Sequence, residues 1–307
     1  MRHVFLGWAA LCWALMGVAP ASAQVTISRK YVEGEERAQS VDVLTKQSLT
    51  INGANIETSS QQNMVVRAKV GRRNAAGELP VEYAVESLQQ TIKAPGLGEV
   101  SFDSVNPDKA SESDITPLLK AAAQAKWVMT LDREDRVLSV LGREKAFEGL
   151  DDKQRETLKA LLDPELLKKQ AQEELDRVPS RPLKAGETWE LEETRRLDGG
   201  QSLTFTRRYC YVGETEQDGT KLHRIDVTAS KVVLAIEGGG AVAIRLVKSD
   251  LKPVKSSGTL LVDPATGWVV AEKHSTQIKG SVVISVAGQE LPTELDLLIE
   301  NSAAARR

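Results

Sequence analysis

Cysteine is almost missing from this 307-residue chain: it occurs twice, as Cys12 and Cys210, and Cys12 lies in an apolar N-terminal run. A single remaining thiol cannot close an internal disulfide, so the fold has to be held by an apolar core. Cys210 stands in a strand-like run without a neighbouring His or second Cys, and it reads as a small buried hydrophobe. Histidine is as sparse. Beyond His3 there are only His223 and His274, too isolated to suggest a zinc site, and no metal or cofactor is expected. Aromatic residues make up 4% of the chain, with Trp127, Trp189 and Trp268 the only tryptophans after residue 23, which argues against a carbohydrate cleft built from stacking rings. Basic residues are not in excess: 40 face 43 acidic ones, for a net charge of −3. Arg72-Arg73, Arg195-Arg196 and Arg207-Arg208 are pairs rather than runs, so a nucleic-acid partner is excluded. Gly-x-Ser-x-Gly, His-Glu-x-x-His, the phosphate loop and the EF-hand loop are all lacking. The Gly238-Gly239-Gly240 run lies between two strand patterns with no helix after it, and reads as a hairpin turn rather than a phosphate cradle.

The one long apolar run is informative. In MRHVFLGWAALCWALMGVAPASAQ a basic start, an apolar stretch and Ala21-Ser22-Ala23 read as a secretory signal peptide cleaved after Ala23. The run from Val4 to Ala19 is short for a membrane span and ends at Pro20, so the mature chain is expected to carry no transmembrane span and to be periplasmic or secreted.

The rest is dominated by period-two alternation broken by Gly, Asn and Asp turns, the signature of antiparallel strands with one covered face. Strands are expected at 41–51, 64–70, 81–92, 99–102, 127–131, 137–141, 188–193, 202–212, 221–234, 241–247, 258–262, 268–278, 281–286 and 294–299. Several are long, which favours a curved sheet or half-barrel over a sandwich of short strands. Helical spacing interrupts this pattern in three places. Asp114–Ala125 forms one short helix. Asp151 with Gln154 offers a capping box ahead of Leu158, Leu161 and Leu162. Asp163-Pro164 then supplies a new N-cap and N1 proline, followed by Leu167, Ala171, Leu175 and Val178. The fold class is therefore mainly β (α+β): long antiparallel strands in a curved sheet or half-barrel, in two similar β halves with a helical insert. The expected organisation is a signal peptide at 1–23, an N-terminal β half with one short helix at 24–142, the helical insert at 143–179, a C-terminal β half at 180–301 and a disordered tail at 302–307. The likeness of the halves rests on Asp132 and Asp263, each opening a tight turn between an apolar strand and the next.

The segment Val178-Pro179-Ser180-Arg181-Pro182-Leu183-Lys184-Ala185-Gly186-Glu187-Thr188-Trp189, with its Gly-acidic-x-Trp end, and the later Asp263 and Gly267 hairpin resemble a family of uncharacterised secreted bacterial β-rich proteins, a domain of unknown function. The resemblance implies the fold and compartment and carries no activity. In outline the helix-covered sheet is also similar to lipoprotein-carrier half-barrels, an analogy of shape alone.

Five residues stand out as candidate ligand contacts. From Trp268 the alternation places Glu272 and His274 on one strand face with Ile278, and Arg207 shares a face with Phe205 and Tyr209, its guanidinium expected to reach water. Trp189 is read as a core anchor or a stacking platform. The expected function is that of an exported, non-enzymatic β protein binding an apolar ligand or an envelope protein segment. A structural or adhesive envelope component and a hydrolase with an unrecognised carboxylate site are the alternatives.

Overall fold

Alternating β-branched and polar residues become strands along nearly the whole chain in a computed structural model that describes residues 24–306 apart from 162, 197–200, 237–243 and 287. The expected signal peptide at 1–23 and the glycine run at 238–240 lie outside the described residues. In chain order the elements are β1 (Val25–Thr26), β2 (Glu36–Ile51), β3 (Ala54–Val70), β4 (Leu79–Ala94), β5 (Gly98–Asp103), α1 (Thr116–Ala123), β6 (Lys126–Leu131), β7 (Val137–Leu141), α2 (Asp152–Leu161), α3 (Pro164–Asp176), β8 (Pro182–Leu183), β9 (Thr188–Arg196), β10 (Gln201–Gln217), β11 (Thr220–Ile236), β12 (Ile244–Val262), β13 (Val269–Val286) and β14 (Gln289–Arg306). Twelve strands form one curved, unclosed antiparallel sheet in the order β7-β6-β4-β3-β2-β14-β13-β12-β11-β10-β9, with β5 paired to β4 beside β6. Two meanders thus run outward from the central β2–β14 pair, one per half of the chain. Bulges at Val65/Val66, Thr206/Arg207 and Tyr211/Gly213 add local bend and twist.

Three expectations need correction. The strands expected at 241–247 and 258–262 are one strand, β12, because Pro253 falls at a register shift where a missing N–H is tolerated. The strands at 268–278 and 281–286 likewise merge into β13, since Gly280 adopts φ +148° as its backbone closely approaches that of Asp250. The tail at 302–307, expected to be disordered, continues β14 to Arg306: Ser302 to Ala304 pair with β13 and with β2, and Ala303 is buried. Weak intrinsic strand preference is overridden by partners on both sides.

Both Asp-opened turns form the same device. Asp132 accepts from the backbone N–H groups of Glu134 and Arg136, each at 2.8 Å, while Asp263 accepts from Ala265 N–H at 2.9 Å and from the Thr266 hydroxyl at 2.7 Å. Helix capping also follows the sequence. Asp151 and Gln154 cap each other reciprocally at 3.2 and 2.8 Å, and Asp163 accepts from Leu166 N–H at 2.9 Å.

The apolar faces meet in separate clusters. One end of β10–β14 curls around Leu203, Phe205, Ile278 and Leu297, and Tyr209, Ile225, Leu260 and Val262 pack near the other end with Ile27, Val178 and Leu183. On the N-terminal half, Val70, Leu79, Val81, Met129, Leu131 and Val140 are covered by Leu167, Ala171 and Leu175 of α3. On helix α2, Leu158 joins Ala121 of α1, Ala146 and Leu150 in a small separate cluster. The side chains of Leu161 and Leu162 lie outside the described residues.

Helix α3 stands at both open edges of the sheet. Its Gln172 side chain accepts from the backbone N–H of Val137 on β7 at 2.8 Å, and the adjacent Glu173 accepts from that of Thr194 on β9 at 3.1 Å. An edge strand exposes unpaired N–H groups, and here one helix supplies acceptors to both. Residues 25–31 strap the same end: Arg29 donates to the carbonyl of Leu175 near the end of α3, and Lys30 N–H bonds Thr266 O at 2.9 Å in the β12–β13 turn.

Candidate functional site: a buried polar belt and an open groove

Alternation along β9, β10 and β13 carries charged side chains to the inner face between the two apolar clusters of the C-terminal half. On β9 the inward residues are Trp189, Leu191 and Glu193, and on β10 they are Phe205, Arg207 and Tyr209, in register as Trp189 with Tyr209, Leu191 with Arg207 and Glu193 with Phe205. Arg177, one residue past α3, reaches both β9 and β13. Its guanidinium is 3.1 Å from Glu193 of β9, 3.1 Å from Glu272 of β13 and 2.7 Å from Glu174. Glu193 is wholly buried; it also accepts from the Tyr209 hydroxyl and lies 3.0 Å from Arg195 and 3.4 Å from Arg207. Glu272 in turn accepts from Asn301 of β14 at 3.0 Å and sits 3.8 Å from the Nε2 of His274.

Electrostatics follow from this crowding. Burial works against the Glu272 charge, but the contacts with His274 and Arg177 outweigh it and hold the carboxyl at about 2. Burial likewise opposes ionisation of Glu193, and the guanidinium groups of Arg177, Arg207 and Arg195 overcome it and lower its pKa. Burial also opposes the Arg177 charge, yet the carboxylates of Glu174, Glu193 and Glu272 raise its pKa above the ordinary arginine value. Tyr209 is pushed above the usual phenol range, chiefly by burial. A buried charge is tolerable only when paired in this way.

The structure brings three of the five candidate residues together. Glu272 and His274 face inward, and Arg207 joins them through Glu193 and Arg177. The Arg207 side chain does not extend into solvent as its stem length suggested; it is 12% exposed, and its guanidinium lies over the Phe205 ring at 5.1 Å. His274 has room because its cross-strand partner is Gly258, where any Cβ would collide with the imidazole. Trp189 stacks on Tyr209 at 5.7 Å and 11°, borders the belt and also lines an open groove. Trp268 stands apart: its indole N–H donates to Lys30 O at 3.0 Å, its ring meets Tyr31 edge-on at 5.1 Å, and Arg37 covers it at 4.4 Å. Cys210 is half-buried rather than fully buried. Sequence reasoning missed Arg177, Glu193, Glu173 and Asn301. For Glu193 a signal existed, since it follows Trp189 and Leu191 in the same alternation.

The groove has a volume of about 1080 Å³ and runs along α3. Arg29, Lys168, Gln172 and Asp176 line one flank, residues 134–137 and 178–181 contribute further walls, and Trp189, Glu190, Leu191 and Glu192 of β9 border the other side. Burial raises the carboxyl pKa of Glu173, and likewise that of Asp135. Among the described residues no group of three or more His, Cys, Asp or Glu is placed to hold a metal ion, and no helix is long and apolar enough to cross a membrane.

The model of a family of unknown function, DUF6263, matches residues 76–269, in line with the resemblance drawn from the Gly186 to Trp189 segment. No curated protein matches. Similar solved structures include DynF from the dynemicin biosynthesis pathway of Micromonospora chersina, at 8% identity and TM-score 0.20 over 96% of this chain and 92% of that one. An outer membrane channel of Pseudomonas putida F1 has 6% identity and TM-score 0.25 over 91% and 97%. A DUF1329 family protein of Desulfovibrio piger has 10% identity and TM-score 0.13 over 84% and 83%.

Proposed function

This chain belongs to the family of unknown function DUF6263, and we propose that it is an exported, non-catalytic binding protein of the cell envelope that takes a protein segment into the groove between α3 and β9. The carrying observation is where the open space lies. The apolar face of α3 is already filled by Leu167, Ala171 and Leu175 against β4, β6 and β7, whereas the groove beside β9 is open and mixes Trp189 and Leu191 with charged groups. A wide apolar lumen suits a lipid-like guest, and a mixed open groove beside a strand edge suits a polypeptide. Of the five candidate ligand contacts, Trp189 is the one lining this groove; Glu272, His274 and Arg207 form a support behind it. Trp268, set apart, is better read as a clasp for the N-terminal strap.

The test is selection of the folded chain against a displayed library of unstructured peptides, alongside titration with an environment-sensitive apolar dye. Saturable peptide binding weakened about tenfold or more by Leu191→Arg supports the groove reading. Stoichiometric dye uptake with no peptide selected overturns it in favour of an apolar ligand. One observation favours a second reading, a hydrolase: Glu173 and Asp135 line the groove and both are held above the ordinary carboxylate range by burial. Glu173→Gln keeps an acceptor for Thr194 N–H, so hydrolysis of an ester or glycan that is abolished by this change would establish the enzyme.

A further inference from the structure

We propose that the free edge of β9 recruits an extended basic peptide as an added antiparallel or parallel strand, a reading that rests on the groove as the binding site and names its partner's chemistry. Strand geometry decides which groups are available. Thr194 N–H points outward, because it bonds Glu173 on α3 rather than β10. Outward-pointing backbone groups recur every second residue, so the N–H and C=O of Glu192 and Glu190 point to the same edge. Among the described residues neither N–H bonds a side chain or any backbone group outside the strand ladders, and both residues border the groove. Helix α3 therefore satisfies the far end of the edge at Thr194 and leaves the stretch from Thr188 to Glu192 open.

Side chains on the two faces of that stretch specify the guest. Glu190 and Glu192 are exposed on one face, and neither has an ion-pair partner among the described residues; Arg208, across the ladder from Glu190, turns to the Thr188 hydroxyl at 3.5 Å. Trp189 and Leu191 occupy the other face. A strand laid along this edge meets alternating acid and apolar neighbours, so the complementary sequence alternates Lys or Arg with a β-branched or apolar residue. The same pattern disfavours a second copy of this chain. Antiparallel self-pairing about Leu191 sets Glu190 of one copy opposite Glu192 of the other, placing like charges face to face.

The experiment uses the whole mature chain and a short synthetic peptide alternating Lys with Val, measured by calorimetry and by amide hydrogen exchange. Saturable binding is expected, with slowed exchange at Glu190 and Glu192. N-methylation of the peptide backbone on the side facing β9 should weaken it about tenfold or more, because the ladder is then broken while charge is kept. Glu190→Lys with Glu192→Lys, both exposed and outside the core, should produce a similar loss, and replacing the peptide's Lys residues by Glu should restore binding to that double variant. Binding indifferent to N-methylation overturns strand addition. A concentration-dependent dimer abolished by the double substitution also overturns it and gives the edge to a second copy. If library peptides bind in a Leu191-dependent way while the Lys-Val peptide does not, strand addition by a basic segment fails and the groove reading stands; if neither binds, both fail.

Discussion

Helix α3 meets β6 and β7 through an apolar contact, with Leu167, Ala171 and Leu175 set on Met129, Val137 and Val140, and meets β9 through charge, with Glu173, Glu174 and Arg177 facing Glu193 and Arg195. The first contact removes apolar surface from water and is indifferent to the exact rotation of the helix. The second adds little net free energy, since desolvation of buried charges offsets much of their attraction, but it accepts one arrangement only. One flank holds the helix on, and the other fixes where it stands and so where the groove opens.

Removing one partner from the charged flank should have the largest effect. Arg177→Ala leaves Glu193 and Glu272 buried without their shared cation, and should destabilise the fold by about 3–5 kcal/mol in chemical denaturation. A loss under about 1 kcal/mol would mean that water already enters the belt. On the apolar flank, Leu175→Ala should cost about 2–3 kcal/mol, the low end for a buried leucine, because the residue sits at the rim of its cluster. Glu173→Ala should cost about 1–3 kcal/mol by orphaning Thr194 N–H, with Glu173→Gln close to the parent.

Acidity sharpens the contrast further. Glu272 is held at about 2 against an ordinary 4.5, and Glu193 is lowered as well. A depressed carboxyl contributes stability that is full above its unfolded value and is lost as pH falls toward its folded value. The stabilising contribution of Glu272 should therefore disappear between pH 4.5 and about 2, and a Glu272→Gln variant should show a shallower loss over that window in a pH series of denaturant midpoints. Glu173 works the other way: its raised pKa means that protonation favours the folded state and partly offsets the loss. The smallest effect is expected at Gln172→Ala, about 0.5–1.5 kcal/mol for one neutral hydrogen bond to Val137 N–H.

Much of the fold was legible because its signals are local. Alternation predicted the strands, the Asp151 and Asp163 caps set the helix starts, and Asp132 and Asp263 marked matching turns. Legibility failed where a residue's surroundings outweighed its own preference, as with Pro253 inside β12 and the alanines that end β14. In the belt, Glu272, His274 and Arg207 were visible as polar residues on otherwise apolar faces, since period two assigns a face without knowing the fold. Arg177 was not, because it follows a helix by one residue and nothing near it in sequence indicates two carboxylates from strands far along the chain.

The sequence by itself determined a β protein with long antiparallel strands and an interrupting helical segment, which follow from residue period and capping residues. Tertiary structure alone decided that α3 would supply one acceptor to each open edge of the sheet, that Arg177 would join β9 to β13 through Glu193 and Glu272, and that the edge of β9 would stay open from Thr188 to Glu192. These depend on how far the sheet curves. That curvature is summed over twelve twisted strands and their bulges, and no single stretch of the chain encodes it.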